Sequence, residues 1–422
     1  MSLQERDKKV IWHPYTQMKG ALPQIPIVSG EGVYLIDEQG KRYIDAVSSW
    51  WVNIHGHANA HIAAKVSAQL LTLEHVIFAG FTHEPAVLLA ERLLPLLPGK
   101  QEKVFYSDNG STAVEVALKM SFQYWSNKGN KQRKKVLAFK EAYHGDTFGA
   151  MSVSGRSIFT DPFSEMLFDV EFIDLPNEEN ISELVAKISG LQSQLACFIF
   201  EPLILGAGGM QMYEAKYLDQ LIEVCQKNEI ICIADEVMTG FGRTGTYFAC
   251  EQLTERPDLF CLSKGLTGGT MPLGITTCNQ QIFEAFLSDD KLKTLYHGHS
   301  FTANPVACAA SLASLDILLE KETLVNIQRI KIQHARFKEK IINHPKVKTI
   351  RQTGTIIAIE WETGESTTYL SSLRDKLYNY FLNKGVVLRP LGNIIYILPP
   401  YIITNEELAY IYGTIIQALD EI

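Results

Sequence analysis

The sequence predicts an α/β protein: a large, mostly parallel sheet domain followed by a smaller α+β domain. Three observations lead there. Between residues 104 and 277, short apolar runs recur without the alternation of a half-exposed strand; such runs mark strands buried on both faces, as in parallel sheets covered by helices. Stretches with helical spacing of apolar residues alternate with them. The chain has 422 residues, more than one core usually serves, and near residue 310 its texture changes to grouped strands with flanking helices. The division that follows is an N-terminal segment, 1–50, a large domain, 51–310, and a C-terminal small domain, 311–422.

In chain order, residues 12–18 are an irregular aromatic stretch. Val33-Tyr34-Leu35-Ile36 and Arg42-Tyr43-Ile44-Asp45 flank the turn Asp37-Glu38-Gln39-Gly40 and read as a hairpin, expected to pack with the small domain. Trp50-Trp51, read as extended backbone, would send one ring to the core and one to a cavity. A strand is expected over 104–107 and a helix from Ser111 to about Asn127, with Val114, Ala117, Leu118 and Phe122 on one face. Further strands are expected at 136–139, 197–200, 230–234, 259–262 and 273–277. After them come a long helix over 309–340, strands at 355–360, 386–389 and 394–398, and a last helix over 406–419. Pro399-Pro400 ends the final strand.

Composition narrows the function. A net charge of −8, with both signs interspersed, argues against a nucleic-acid or anionic-membrane surface. The seven cysteines form no Cys-x-x-Cys pair and sit mostly in apolar runs. They read as small hydrophobes in a reducing compartment, neither a disulfide framework nor a zinc site. Residues 1–9 lack the apolar stretch of a secretory signal, and no apolar run is long enough to span a bilayer. The expectation is a cytoplasmic protein acting on small molecules.

Lys264 and Asp235 carry the chemistry. Each is a charged residue closing an apolar run, Leu259-Phe260-Cys261-Leu262-Ser263 and Ile230-Ile231-Cys232-Ile233-Ala234. Their separation leaves room for one strand-to-strand crossover. A desolvated amine and a carboxylate on two such strands suit pyridoxal phosphate. The amine condenses with the cofactor aldehyde, and the carboxylate keeps the pyridine nitrogen protonated. Glu236 is read as structural. Asp108-Asn109-Gly110-Ser111-Thr112 follows a strand and opens a helix, so free N–H groups, a close-approaching Gly110 and the Ser111 hydroxyl can hold phosphate. The same stretch also reads as a plain turn in which Thr112 and Glu115 make a capping box. Tyr143 is either a ring that stacks on a planar cofactor or a packed loop tyrosine. His144 lacks partners at ligand spacing, and in the loop His297 to Pro305 a hydroxyl contact to phosphate is favoured over a metal. No metal site is expected. Arg389, at a strand end, suits a bidentate grip on a substrate carboxylate; the alternative is a surface ion pair.

These residues resemble the class III, pyridoxal phosphate-dependent aminotransferases over nearly the whole chain. The resemblance rests on Ile233-Ala234-Asp235-Glu236-Val237, Gly240-Phe241-Gly242-Arg243-Thr244-Gly245 and Ser263-Lys264-Gly265. Within the family, Trp12-His13-Pro14-Tyr15-Thr16-Gln17-Met18, Trp50-Trp51, Tyr143 to Ser152 and Gly206-Ala207-Gly208-Gly209-Met210 are similar to the biotin-biosynthesis branch. That branch converts 8-amino-7-oxononanoate to 7,8-diaminononanoate, with S-adenosyl-L-methionine or lysine as donor. The resemblance implies the fold type I, or aspartate aminotransferase-like, architecture and a homodimer with active sites at its interface. It implies catalytic roles for Lys264, Asp235 and Tyr15. It gives phosphate to Gly110 and Ser111, and to Ser300 of the other subunit, and stacking to Tyr143. Tyr15, Trp50, Trp51, Asp146, Arg243 and Gly298 would line the substrate site, and Arg389 would take the keto-substrate carboxylate. Two positions depart from the family pattern: Leu205 stands where glutamine is often found, and Ser300 where threonine is common. Two alternatives stay open, an ω-amino acid aminotransferase acting on ornithine or 4-aminobutyrate, and an inert cofactor-binding protein.

Overall fold

Strands that are apolar on both faces can only be stable between two layers, and the computed structural model, which describes residues 1–364 and 371–422, arranges them so. Three strands, β1 (Ile27–Glu31), β2 (Tyr34–Asp37) and β3 (Arg42–Asp45), form an antiparallel sheet near the start of the chain. Nine more lie between residues 101 and 279. They are β4 (Gln101–Ser107), β5 (Lys135–Phe139), β6 (Val170–Ile173), β7 (Leu195–Phe200), β8 (Ile204–Leu205), β9 (Gln211–Met212), β10 (Ile231–Asp235), β11 (Leu259–Leu262) and β12 (Gly274–Asn279). Leaving out the small β8–β9 pair, seven form one sheet in the order β4-β12-β11-β10-β7-β5-β6. β12 runs antiparallel to both its neighbours, and the other pairings in the sheet are parallel.

Alternation along each central strand fills two cores. Cys232 and Ala234 of β10 and Phe260 and Leu262 of β11 face one layer, which includes Leu218, Leu221 and Ile222 of the helix Ala215–Lys227. Ile231, Ile233, Leu259 and Cys261 face the other, under the helix Gly110–Asn127. The consequence for function is geometric. The carboxyl ends of β4, β5, β7, β10 and β11 share one edge of the sheet, where open α/β sheets bind ligands. Because β12 is reversed, the residues leading into it arrive at that same edge.

Toward the C-terminus, β13 (Val347–Thr353), β14 (Ile356–Trp361) and β16 (Ile394–Ile397) make a three-stranded antiparallel sheet. The two-residue strand β15 (Val386–Val387) instead pairs in parallel with β3. Backbone bonds from Leu398 to Ala46 (2.8 Å) and from Tyr401 to Ile54 (2.9 Å) continue the seam. The N-terminal hairpin is thus sewn to the C-terminal part of the chain.

Three local expectations are corrected. The helix expected over 309–340 is two helices, Pro305–Leu318 and Lys321–Ile341, with Glu320 in extended backbone between them. Neither proline nor glycine breaks it. The first helix is rich in alanine and buried nearly all round, whereas the second buries one stripe, Ile327, Ile330, His334, Phe337 and Ile341; two burial demands require two directions. The capping box on Gly110–Asn127 joins Asn109 and Thr112, not Thr112 and Glu115. Glu115 reaches across to the Thr147 hydroxyl and the N–H groups of Gly149 and Ala150. Trp50 and Trp51 lie in a short turn, Ser48–Trp51, not a strand, with φ of +52° at Ser48, +62° at Ser49 and +68° at Trp51.

Candidate active site

The sheet edge opens into a cavity of about 700 Å³ whose walls include Gly110, Ser111, Tyr143, Asp235 and Lys264. Lys264 follows β11 with φ +49°, a left-handed backbone that a side chain adopts only when its surroundings hold it. Its Nζ lies 4.6 Å from the centre of the Trp51 ring. Burial pulls the amine down to about 8, against the opposing pull of Asp235 and Glu201. Asp235, buried at the end of β10, accepts a 2.7 Å hydrogen bond from His144 Nδ1 and one of 3.1 Å from the Val237 N–H. The connection between the two strands contains turns and one short 3₁₀ segment, Ala249–Gln252. Glu236, next to Asp235, turns away and accepts bonds from Thr239, Ala249 and Cys250.

The helix Gly110–Asn127 points its N-terminus into the same space. Asn109 caps Thr112, and the N–H groups of Gly110 and Ser111 have no partner among the described residues. Ser111 Oγ accepts from the Asp146 N–H at 3.3 Å, so its own proton is available to a ligand. A Cβ on Gly145, at φ +132°, would lie 2.0 Å from Ser111 Oγ. Backbone must therefore pass the helix start there without a side chain. The result is a tight cradle with free donors and the positive end of a helix dipole.

A family model described as Aminotransferase class-III matches residues 15–419. The chain belongs to the class III aminotransferases. It is 48% identical over 422 residues to the adenosylmethionine-8-amino-7-oxononanoate aminotransferase of Synechococcus elongatus, covering 98% of this chain and 99% of that one. The crystal structure of the adenosylmethionine-8-amino-7-oxononanoate aminotransferase from Methanocaldococcus jannaschii matches with TM-score 0.95 at 39% identity, over 99% of this chain and 98% of that one. An omega transaminase from Pseudomonas jessenii in complex with PMP matches with TM-score 0.94 at 29% identity, over 100% of this chain and 98% of that one. The fold is therefore that of these pyridoxal phosphate-dependent transferases, and pyridoxal 5'-phosphate is the cofactor of this aminotransferase. Its residues fit that group. The cradle at Gly110 and Ser111 offers donors to a phosphate, Asp235 is a buried acceptor held by His144, and the amine of Lys264 has been stripped of water.

On the substrate side, the class III chain gathers some of the expected residues and separates others. Tyr15 donates its hydroxyl to Asp146, which lines the cavity, and lies 3.4 Å from the Tyr143 hydroxyl. Burial raises the Tyr143 phenol above its ordinary range. Trp51 is buried in the cavity wall and donates Nε1 to the Tyr396 hydroxyl at 3.0 Å. Trp50 is 39% exposed, packs edge-on to Tyr15 at 5.6 Å, and holds the Arg389 guanidinium 4.3 Å from its ring centre. Their turn is clamped by Asp45, which accepts both the Ser49 N–H (2.8 Å) and its hydroxyl (3.0 Å). No ion pair to Arg389 is found among the described residues. Arg243 lies behind the wall, 1% exposed, donating to the carbonyls of Pro399, Trp51 and Asn53. Gly298 and Ser300 are exposed, in the loop before the helix Pro305–Leu318, and do not line this chain's own cavity. Leu205 is fully buried and also stays out of it.

Glu201 was not singled out from the sequence, and His144 was weighed there only as a metal ligand. Glu201 lines the cavity and accepts the N–H groups of Tyr143 and Gly206, both at 2.9 Å. Burial pushes its carboxyl up to about 7, with His144 pulling down and Asp235 pushing up. Its signal was the one that found Asp235 and Lys264, a charged residue closing an apolar run, here Leu195–Phe200. His144 is the partner of Asp235, and its Nε2 is buried with no partner; no spacing rule in the sequence links positions so far apart.

Proposed function

We propose that this aminotransferase converts 8-amino-7-oxononanoate to 7,8-diaminononanoate in biotin biosynthesis, with S-adenosyl-L-methionine as the donor. The observation that carries the reading is the full-length similarity to relatives bearing that activity's name, 36–48% identical. An aromatic wall suited to a long, mostly apolar substrate supports it. When bound, pyridoxal phosphate supplies an aldehyde that exchanges amines and a ring that takes up an electron pair. Gly110 and Ser111 would hold its phosphate, Tyr143 would pack on the ring and Asp235 would face the ring nitrogen. The Asp235 carboxylate, kept in place by His144, would stabilise positive charge at that nitrogen. Lys264 Nζ, desolvated and facing the cavity, would move a proton to and from the substrate carbon as general base and acid. Trp51 would shed water from that carbon, and Arg389, backed by the Trp50 ring, would take the distant carboxylate of the keto acid.

The active form is proposed to be a homodimer. Leu71, Ile77, Phe81 and Phe301 are exposed apolar side chains. The two loops that carry most of them touch, through Asn304 to the Glu74 carbonyl (3.1 Å) and the His75–Phe301 ring pair. A second copy seated there would cover an apolar patch and bring its Gly298 and Ser300 to this cavity.

The test is an absorbance titration of the purified yellow protein with 7,8-diaminononanoate. Loss of the visible cofactor band at low diamine concentration is expected, and S-adenosyl-L-methionine and lysine can be compared next. A band insensitive to the diamine but bleached by ornithine or 4-aminobutyrate overturns the substrate.

A further inference from the structure

Behind Lys264 lies a buried polar chain that no step above uses. His55 is 3% exposed and Ser314, on the helix Pro305–Leu318, is 1% exposed. His55 Nε2 lies 3.0 Å from Ser314 Oγ, and Ser314 Oγ lies 3.1 Å from the carbonyl of Gly265, the residue after Lys264. A carbonyl only accepts, so Ser314 donates to it and accepts from His55, which carries its proton on Nε2. The Gly265 carbonyl also accepts the Gly268 N–H at 2.9 Å, the bond that closes the Lys264 turn. Both of its lone pairs are therefore engaged.

Packing leaves that turn little freedom. Gly268, at φ +63°, would place a Cβ 2.9 Å from the His55 ring and 3.4 Å from Ser314 Oγ. Gly269, at φ +80°, would place one 2.9 Å from the Asn53 N–H nitrogen. Asn53 and His55 belong to the segment that carries Trp51, whose ring faces the Lys264 amine.

We infer that His55 and Ser314 are positioning residues for Lys264: they lock the left-handed turn that aims the amine and hold that turn in register with Trp51. A left-handed backbone at a residue with a side chain persists only when neighbouring structure over-determines it, and the Ser314–Gly265 bond lies one residue from the strained Lys264. Small errors in aim are costly in a reaction that depends on orientation.

The experiment follows pyridoxal phosphate rejoining the apoenzyme at the visible band. The limiting rate of the covalent step is separated from the half-saturating cofactor concentration. Ser314→Ala removes the bond without adding volume, His55→Leu removes the donor, and His55→Gln returns a nitrogen donor near the Nε2 position. Ser314→Ala and His55→Leu should lower the limiting rate by roughly tenfold and alter the visible circular dichroism of the bound cofactor. The half-saturating concentration should stay within about twofold, because the phosphate cradle is untouched. His55→Gln should recover most of the rate. An unchanged limiting rate and dichroism in Ser314→Ala overturns the inference. So does a rate loss matched by an equal rise in half-saturation and a large drop in apoenzyme melting temperature, the signature of general loosening. No amine substrate is used, so the result is independent of the choice of 8-amino-7-oxononanoate.

Discussion

Lys264 sits where the loss of water outweighs the attraction of two carboxylates, so its amine titrates near 8 instead of the ordinary 10.5. At pH 7.5 about a quarter of such an amine is neutral, against about one part in a thousand for a solvated lysine. The rate at which the apoenzyme links to pyridoxal phosphate should therefore rise with pH to a midpoint near 8. A midpoint above about 9.5 would show that the side chain is not desolvated. Glu201 is shifted the opposite way for an acid, from 4.5 up to about 7. The unfolded chain ionises this group first as pH rises, so the stability it contributes is present below pH 4.5 and lost on the way to 7. Relative to Glu201→Gln, the wild-type apoenzyme should lose roughly 3 kcal/mol across that interval and level off above it. Denaturant melts at several pH values check this, and a flat difference sinks the burial argument. Arg389, stacked on Trp50 without an acidic partner among the described residues, should matter to one substrate. In Arg389→Ala the KM for the keto acid should rise by roughly tenfold or more, with the donor KM much less affected. Equal effects on both would remove the carboxylate role.

At the scale of elements, the cofactor cradle is a strand end, a helix start and a crossing loop packed without a gap. Gly145 marks the crossing, because its missing Cβ leaves room for the Ser111 hydroxyl 2.0 Å from where that atom would stand. Gly145→Ala should force the loop off the helix by an overpacking cost of about 1–3 kcal/mol. The cofactor dissociation constant should rise by roughly tenfold or more, read by equilibrium dialysis, and the melting temperature of the apoenzyme should fall by about a few degrees in step with that cost. Unchanged affinity would mean that phosphate is held elsewhere. The Ser48–Trp51 turn works in the same way: Asp45 and the seam to Leu398 hold a strained backbone so that one indole faces Lys264 and the other faces Arg389.

For the molecule as a whole, the cavity belongs to one chain but several expected residues do not line it: Gly298 and Ser300 sit in an exposed loop, and Tyr15, Trp50, Arg243 and Arg389 stand outside its lining. If Ser300 acts on the partner's phosphate, sedimentation should show two copies at micromolar concentration. Ser300→Ala should then weaken pyridoxal phosphate binding by several-fold, the scale of one hydrogen bond to a charged group, without dissociating the pair. A monomer with full activity ends the interface model. The exposed apolar segments 70–81 and 287–301 are the surface to disrupt.

The sequence by itself determined the fold class, the family and its cofactor, and it singled out the candidate residues Lys264 and Asp235. Doubly apolar strands admit few arrangements, and a charged residue at the end of such a strand is rare enough to stand out, as Lys264 and Asp235 do. The candidate cradle at Gly110 and Ser111 was legible for the same local reason, a strand followed at once by a helix start. Tertiary structure alone decided which strand ends meet. The order β4-β12-β11-β10-β7-β5-β6 puts Glu201 and His144 beside Asp235, and no periodicity records that order. It also decided the left-handed backbone at Ser48, Ser49 and Trp51, the break after Leu318, the retreat of Arg243 behind the wall and the His55–Ser314 brace. Hydrophobic spacing states which face of an element is buried; what that face is buried against is set by contacts between residues far apart in the chain.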